Sequence, residues 1–254
     1  MAGFLGASIA SYGALRTRWI MNTIIFKIRD DLIGLSERKF RIGVFRFFKE
    51  QINPIGVRLP KVKKLAREFD GEISGKQSFL EIMALSEKFQ SSKYFEEQIF
   101  GVYLIERHAK EFDGGTFDAF EEWIGKYVSN WAHCDLFCTH SVWYAIEKNP
   151  YLIKRLLKWT KSKNRWKRRA ASVTLIIPAK LGLFLREILQ IAGMNCYDQD
   201  EMVQKGTGWL LREAAKAHFK EVNAFLLGHK DAPRILLRYA TERFPKNARE
   251  KVLH

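Results

Sequence analysis

Cysteine is scarce in this chain: only Cys134, Cys138 and Cys196 among 254 residues. A small, odd count in a long chain offers no disulfide framework and fits a reducing, cytoplasmic setting. Long apolar runs are missing as well. No stretch reaches the roughly 18 uninterrupted apolar residues of a spanning helix, so no such helix is expected. Strict apolar–polar alternation is absent, which argues against strands. Acid is the other shortage. Against 43 Lys+Arg stand 28 Asp+Glu, a net charge of +15. The deficit is deepest from Lys148 to Arg186, 39 residues that hold twelve cations and no Asp or Glu. Such an excess concerns partners and encounter rates rather than fold, and nucleic acid and anionic membrane are the two counterparts. A membrane surface explains the charge but not the spacing of Trp131 and Asp135, so no membrane partner is expected.

What is present is helical periodicity. Residues 1–20, small-residue rich and without acid, read as an N-terminal extension or leader ahead of Met21. From there Phe40, Val44, Phe47 and Phe48 repeat at helical spacing, with Ser36 as a candidate cap. Pro60 suits the first turn of a helix over 61–69, and another spans 78–89. The longest amphipathic run covers 94–112, halted by Asp113-Gly114-Gly115, with Thr116 placed to cap a long helix reaching Lys148. Asn164 caps a basic helix, and further helices follow at 181–192, 198–216, 218–227 and 233–244. About eleven helices joined by short loops make an all-α fold. Helix pairs of about 35–45 residues have the unit size of HEAT-type arrays, so 21–254 reads as one helical-repeat domain.

Three groups of residues invite chemistry. Trp131 and Asp135 stand four apart, hence on one helix face about a turn from each other. The blander alternative for Asp135 is a cap or an ion pair with a neighbouring Arg. A basic stretch, Arg165-Trp166-Lys167-Arg168-Arg169, sits within the acid-free span. Cations interleaved with Trp suit phosphate tracking better than solubility alone. Gly206-x-Gly208-Trp209-x-x-Arg212-Glu213 follows no strand and lacks a phosphate-loop Lys, so its glycines read as places of close helix packing or of backbone approach to a ligand. His133, Cys134, Cys138 and His140 have metal-like identities but no second cysteine pair to complete a zinc site. The cysteines are expected to pack as small apolar groups, with no metal and no cofactor.

Trp131-x-x-x-Asp135, Trp166-x-x-Arg169-Ala170-Ala171 and Gly208-Trp209-x-x-Arg212-Glu213 together resemble the AlkD-type DNA alkylation repair glycosylases. The earlier Gly56-Val57-Arg58-x-Pro60 turn is similar too. The likeness covers the chain from about Met21 onward, although Ala132, His133 and Cys134 depart from the family's usual interval before the Asp. It implies a right-handed superhelix, a solenoid of HEAT-like antiparallel helix pairs with a concave basic face for duplex DNA. It implies base excision repair without a cofactor, by hydrolysis of the N-glycosidic bond of cationic N-alkylated purines such as N3-methyladenine and N7-methylguanine. On it, Asp135 is the catalytic carboxylate. Trp131 and Trp209 flank the lesion, Arg169 meets phosphate, and Trp166, Lys167, Arg168 and Arg212 belong to the DNA-binding surface. The expected protein is a monomer with no obligate protein partner. The alternative is a non-catalytic helical-repeat module that binds nucleic acid or protein.

Overall fold

The structure, a computed structural model, describes residues 21–254. The N-terminal extension expected at 1–20 lies outside the described residues. Every regular element among the described residues is a helix, so the fold is all-α as expected. No described helix is long and apolar enough to cross a membrane. The chain forms two compact units that divide between Leu104 and Ile105.

The first unit holds α1 (21–34), α2 (Arg38–Val44), α3 (Leu59–Ile73), α4 (Phe79–Gln90) and most of α5 (Phe95–Glu106). Ser78 and Glu81 form a reciprocal capping box at the start of α4. Pro60 sits in the first turn of α3, where its missing N–H costs nothing. Phe69, Phe89 and Phe100 make the aromatic centre, with ring centroids 4.7 and 5.8 Å from Phe100. The loop 53–57 is tied by one buried carboxylate. Glu96 accepts the backbone N–H groups of Ile55, Gly56 and Val57 at 2.7, 2.7 and 3.0 Å. Ser36 does not cap α2. Its hydroxyl donates to the Ile55 carbonyl at 2.6 Å instead. The expected stripe Phe40–Val44–Phe47–Phe48 also fails, because α2 ends at Val44 and tightens into a 3-10 turn (Phe45–Phe47). Only Val44 of that stripe is buried.

The second unit contains α6 (Gly114–Lys126), α7 (Trp131–Phe137) and α8 (Trp143–Lys148), then α9 (Ile153–Trp159), α10 (Arg165–Val173) and α11 (Ile176–Lys180). It continues through α12 (Leu185–Asn195), α13 (Glu201–Ala214), α14 (Phe219–Leu227), α15 (Arg234–Ala240) and α16 (Lys246–Leu253). The long central helix expected from Thr116 to Lys148 is broken into α6 and a second run made of α7, a π turn and α8. Asp113, not Thr116, caps α6, with Thr116 as its capping-box partner. The chain breaks after Tyr127 and restarts at α7, where the Asn130 side chain accepts the His133 N–H at 2.9 Å. Packing in this unit repeats. α10 packs against α7 and α13, and α13 packs against α15. Several side-chain hydrogen bonds of this unit join residues a similar distance apart: Asp135–Arg169 and Tyr197–Asp231 at 34 positions, Ser172–Thr207 at 35. A period of that size is what an array of helix pairs produces, though no pair copies another in sequence.

Candidate functional site

α7 carries Trp131 at its first position and Asp135 one turn later. Beyond Phe137 the helix widens into a π turn (Cys138–Val142), and Thr139 Oγ1 donates back to the Asp135 carbonyl at 2.7 Å. Such single π turns recur where a helix presents functional side chains.

Asp135 meets Arg169 of α10 through two parallel bonds: Nε to Oδ1 at 2.8 Å and Nη2 to Oδ2 at 2.7 Å. The side chains are 13% and 6% exposed, so the pair is almost dry and the carboxylate is its wetter end. Arg169 Nη1 also donates to the Met202 carbonyl on α13, so one guanidinium ties α7 to α13 through α10. Gly206 lets it lie there, because a Cβ at that position would stand 3.2 Å from both Cγ and Nη1 of Arg169. Burial pushes the Asp135 carboxyl above the usual range, and the guanidinium beside it opposes that shift. Burial likewise disfavours the Arg169 charge, but Asp135 more than compensates and holds it protonated.

Half-buried Trp131 and Trp209 lie on α7 and α13, the two helices that α10 joins. The neighbouring Gly208 is forced by packing. A Cβ there would meet Tyr239 Cβ at 2.6 Å and the Leu236 carbonyl at 2.7 Å on α15. Both glycines of Gly206-x-Gly208 therefore serve close packing, one of the two roles the sequence offers.

The other residues of the site fall differently. Arg169, for which the resemblance implies a phosphate contact, directs its hydrogen bonds to Asp135 and to the Met202 carbonyl. Trp166 is buried at 6% exposure with the Arg165 guanidinium 4.4 Å over its ring, and its carbonyl accepts the Cys134 thiol at 3.6 Å. Its ring packs inside the second unit, whereas the resemblance implies a place on the DNA-binding surface. Arg168 grips Asp198 with two bonds of 2.6 and 3.1 Å, and Lys167 pairs with Glu121 at 2.9 Å. Arg212 pairs with Glu242 and lies 3.4 Å from Glu213. The acid-free span thus draws its acids from elsewhere in the second unit: Glu121 on α6, Asp135 on α7 and Asp198 in the loop before α13. Lys148, Lys154, Lys158, Lys161, Lys163, Lys180 and Arg186 are the exposed cations of that span. Sequence reasoning marks the span as a whole for phosphate but singles out none of these cations, which only the pairing of their neighbours does.

Among the described residues no group of three or more His, Cys, Asp or Glu is placed to hold a metal ion. His133 is fully buried and burial lowers its pKa to about 3, which makes it a neutral core histidine. Cys134 and Cys138 are buried free thiols. His140 instead pairs with Glu106, 2.8 Å from Nδ1.

The family model described as DNA alkylation repair enzyme matches residues 28–244. A solved structure described as a predicted DNA alkylation repair enzyme from Enterococcus faecalis superposes with a TM-score of 0.73. At 15% identity it covers 83% of this chain and 97% of its own, a likeness of fold. No curated protein matches the sequence. The chain belongs to the DNA alkylation repair enzyme family, and its substrate is accordingly DNA.

Proposed function

We propose that this protein is a DNA N-glycosylase that removes positively charged N-alkylated purines, such as N3-methyladenine and N7-methylguanine, from duplex DNA. The observation that carries the reading is the Asp135 carboxylate, nearly dry yet still touching solvent, with Arg169 fixing both of its oxygens. An alkylated purine is already cationic and leaves without protonation, so the barrier lies in the oxocarbenium-like sugar. A fixed negative group beside C1′ stabilises that charge as it develops. Two N–H donors occupy only part of the carboxylate's roughly four acceptor sites, and the rest can position the attacking water. Trp131 and Trp209 offer faces to a cationic base or sugar edge, worth about 0.5–2 kcal/mol each. In this reading Arg169 positions Asp135 and keeps it ionised.

The test must separate chemistry from folding, because Asp135→Asn strands a buried guanidinium and should cost about 3–5 kcal/mol of stability. Single-turnover release of 7-methylguanine from alkylated duplex should nevertheless fall by about 10²–10³ per folded molecule. The double variant Asp135→Asn/Arg169→Gln removes the stranded charge and should regain stability but not rate. A folded double variant that excises at full rate would make the pair structural and the protein a non-catalytic binding module.

A further inference from the structure

Residues 38–49 form a surface of a different kind from the site around Asp135. The segment contains Arg38, Lys39, Arg41, Arg46 and Lys49 and no acid. All five of these cations are exposed. Beside them stand three large apolar side chains open to solvent: Ile42 at 65%, Phe45 at 50% and Phe47 at 66%. The backbone beneath is held firmly. Val44 is buried, and Phe48 packs edge-on against Phe95 at 5.7 Å. The Arg58 guanidinium covers Phe40 at 4.9 Å, and the Glu37 N–H donates to the Gly56 carbonyl at 2.8 Å. A Cβ at Gly56 would stand 2.6 Å from Arg41 Cβ, so the 53–57 loop lies directly against α2. Phe40 and Phe48 anchor the segment, while Phe45 and Phe47 are presented on the tight 3-10 turn.

We infer that this segment is a platform for single-stranded DNA, on which unpaired bases stack against Phe45 and Phe47 while the flanking cations hold the phosphates. Exposed rings and neighbouring positive charge are the two components of such platforms. In a duplex the base faces are stacked on one another, so its backbone would engage the cations and leave the rings idle. An anionic membrane would also attract the charge. Yet α2 is seven residues long, too short to lay a continuous apolar face into a bilayer interface, and cations alternate with the apolar side chains along it. The inference shares only the polyanionic partner with the glycosylase reading. It adds an affinity for the unpaired regions that accompany gaps and replication intermediates.

The experiment is fluorescence anisotropy on the full chain, with a fluorescein-labelled oligothymidylate of about 16 nucleotides, near the upper footprint of one binding module. A lesion-free duplex of the same length and phosphatidylserine vesicles serve as the other arms. Phe45→Ala/Phe47→Ala should weaken oligothymidylate binding at least about tenfold, with duplex affinity within about twofold. Because both rings are exposed, the melting temperature should hold, and excision from alkylated duplex should be unchanged. Wild-type protein that ignores oligothymidylate, or a variant that loses single strand and duplex equally, would overturn the platform. So would vesicle binding abolished by the double variant with oligothymidylate binding intact. None of these outcomes bears on excision, so the two readings fail separately.

Discussion

Keeping His133 neutral inside the second unit makes stability depend on pH. Its side chain is fully buried near Phe137, ring centroids 6.3 Å apart, and burial depresses its pKa to about 3. The unfolded chain takes up a proton near pH 6.5 and the folded one does not, so stability present above 6.5 is lost as pH falls toward 3. Between pH 6.5 and 5, before most carboxylates titrate, the loss should be about 2 kcal/mol, at 1.36 kcal/mol per pH unit. Urea unfolding of the wild type and His133→Gln across this window should show a slope in the first that the second lacks. Parallel slopes would mean that His133 reaches a protonated state in the folded protein. The position of His133 next to Asp135 is legible in the sequence, but its neutrality is not. Burial is set by Phe137 and the packing of α7, which no residue type announces. The same holds for Asp135, whose spacing from Trp131 is a local fact of the chain. Its partner Arg169 lies 34 positions away, and the choice between phosphate and carboxylate is decided in space. Of the two bland alternatives for Asp135, the ion pair with an Arg is what the structure holds. The other, a helix cap, falls to Asn130.

At the level of helices, caps are easier to read than ends. Asn164 caps α10 as its side-chain chemistry suggests, accepting the Trp166 N–H at 2.8 Å. The break after Tyr127 is hidden in the sequence because residues on both sides keep a helical spacing, and only the Asn130 cap marks the restart. The stripe of Phe40, Val44, Phe47 and Phe48 misleads for a related reason: periodicity continues in the sequence after the helix has ended. Glycines test how tightly the helices of the second unit fit. Gly125, near the end of α6, has nothing within 4 Å of where a Cβ would stand, so Gly125→Ala should raise stability by about 0.5–1 kcal/mol. Gly208→Ala would press on the backbone of α15 and should lower stability by about 1–3 kcal/mol. Thermal unfolding of the two variants reads both signs in one experiment. Equal shifts would show that α15 yields freely to α13.

For the whole molecule, absence is informative: without alternating patterns or long apolar runs, an all-α fold follows. The two-unit division does not. The chain passes from one unit to the other within α5, whose Ile99, Phe100, Val102, Leu104 and Ile105 are all buried, so no exposed linker marks the boundary. Net charge is legible as a number and misleading as a map. Lys167, Arg168, Arg169 and Arg212 are engaged by carboxylates, and their charge is largely compensated before DNA arrives. Electrostatic attraction should then depend on exposed cations such as Lys161 and Lys163, which stand on the loop leading into α10. DNA affinity should fall steeply with salt, with a log–log slope of about −0.9 for each phosphate neutralised. Lys161→Ala/Lys163→Ala should make that slope shallower by nearly two units, since two phosphate contacts are lost. Lys167→Ala should leave it nearly unchanged, because Glu121 already holds that ammonium at 2.9 Å. Titrating duplex DNA at a series of salt concentrations distinguishes the two variants. If Lys167→Ala flattens the slope and the double variant does not, DNA displaces the internal pair, and the cations read first from the sequence are the ones it meets.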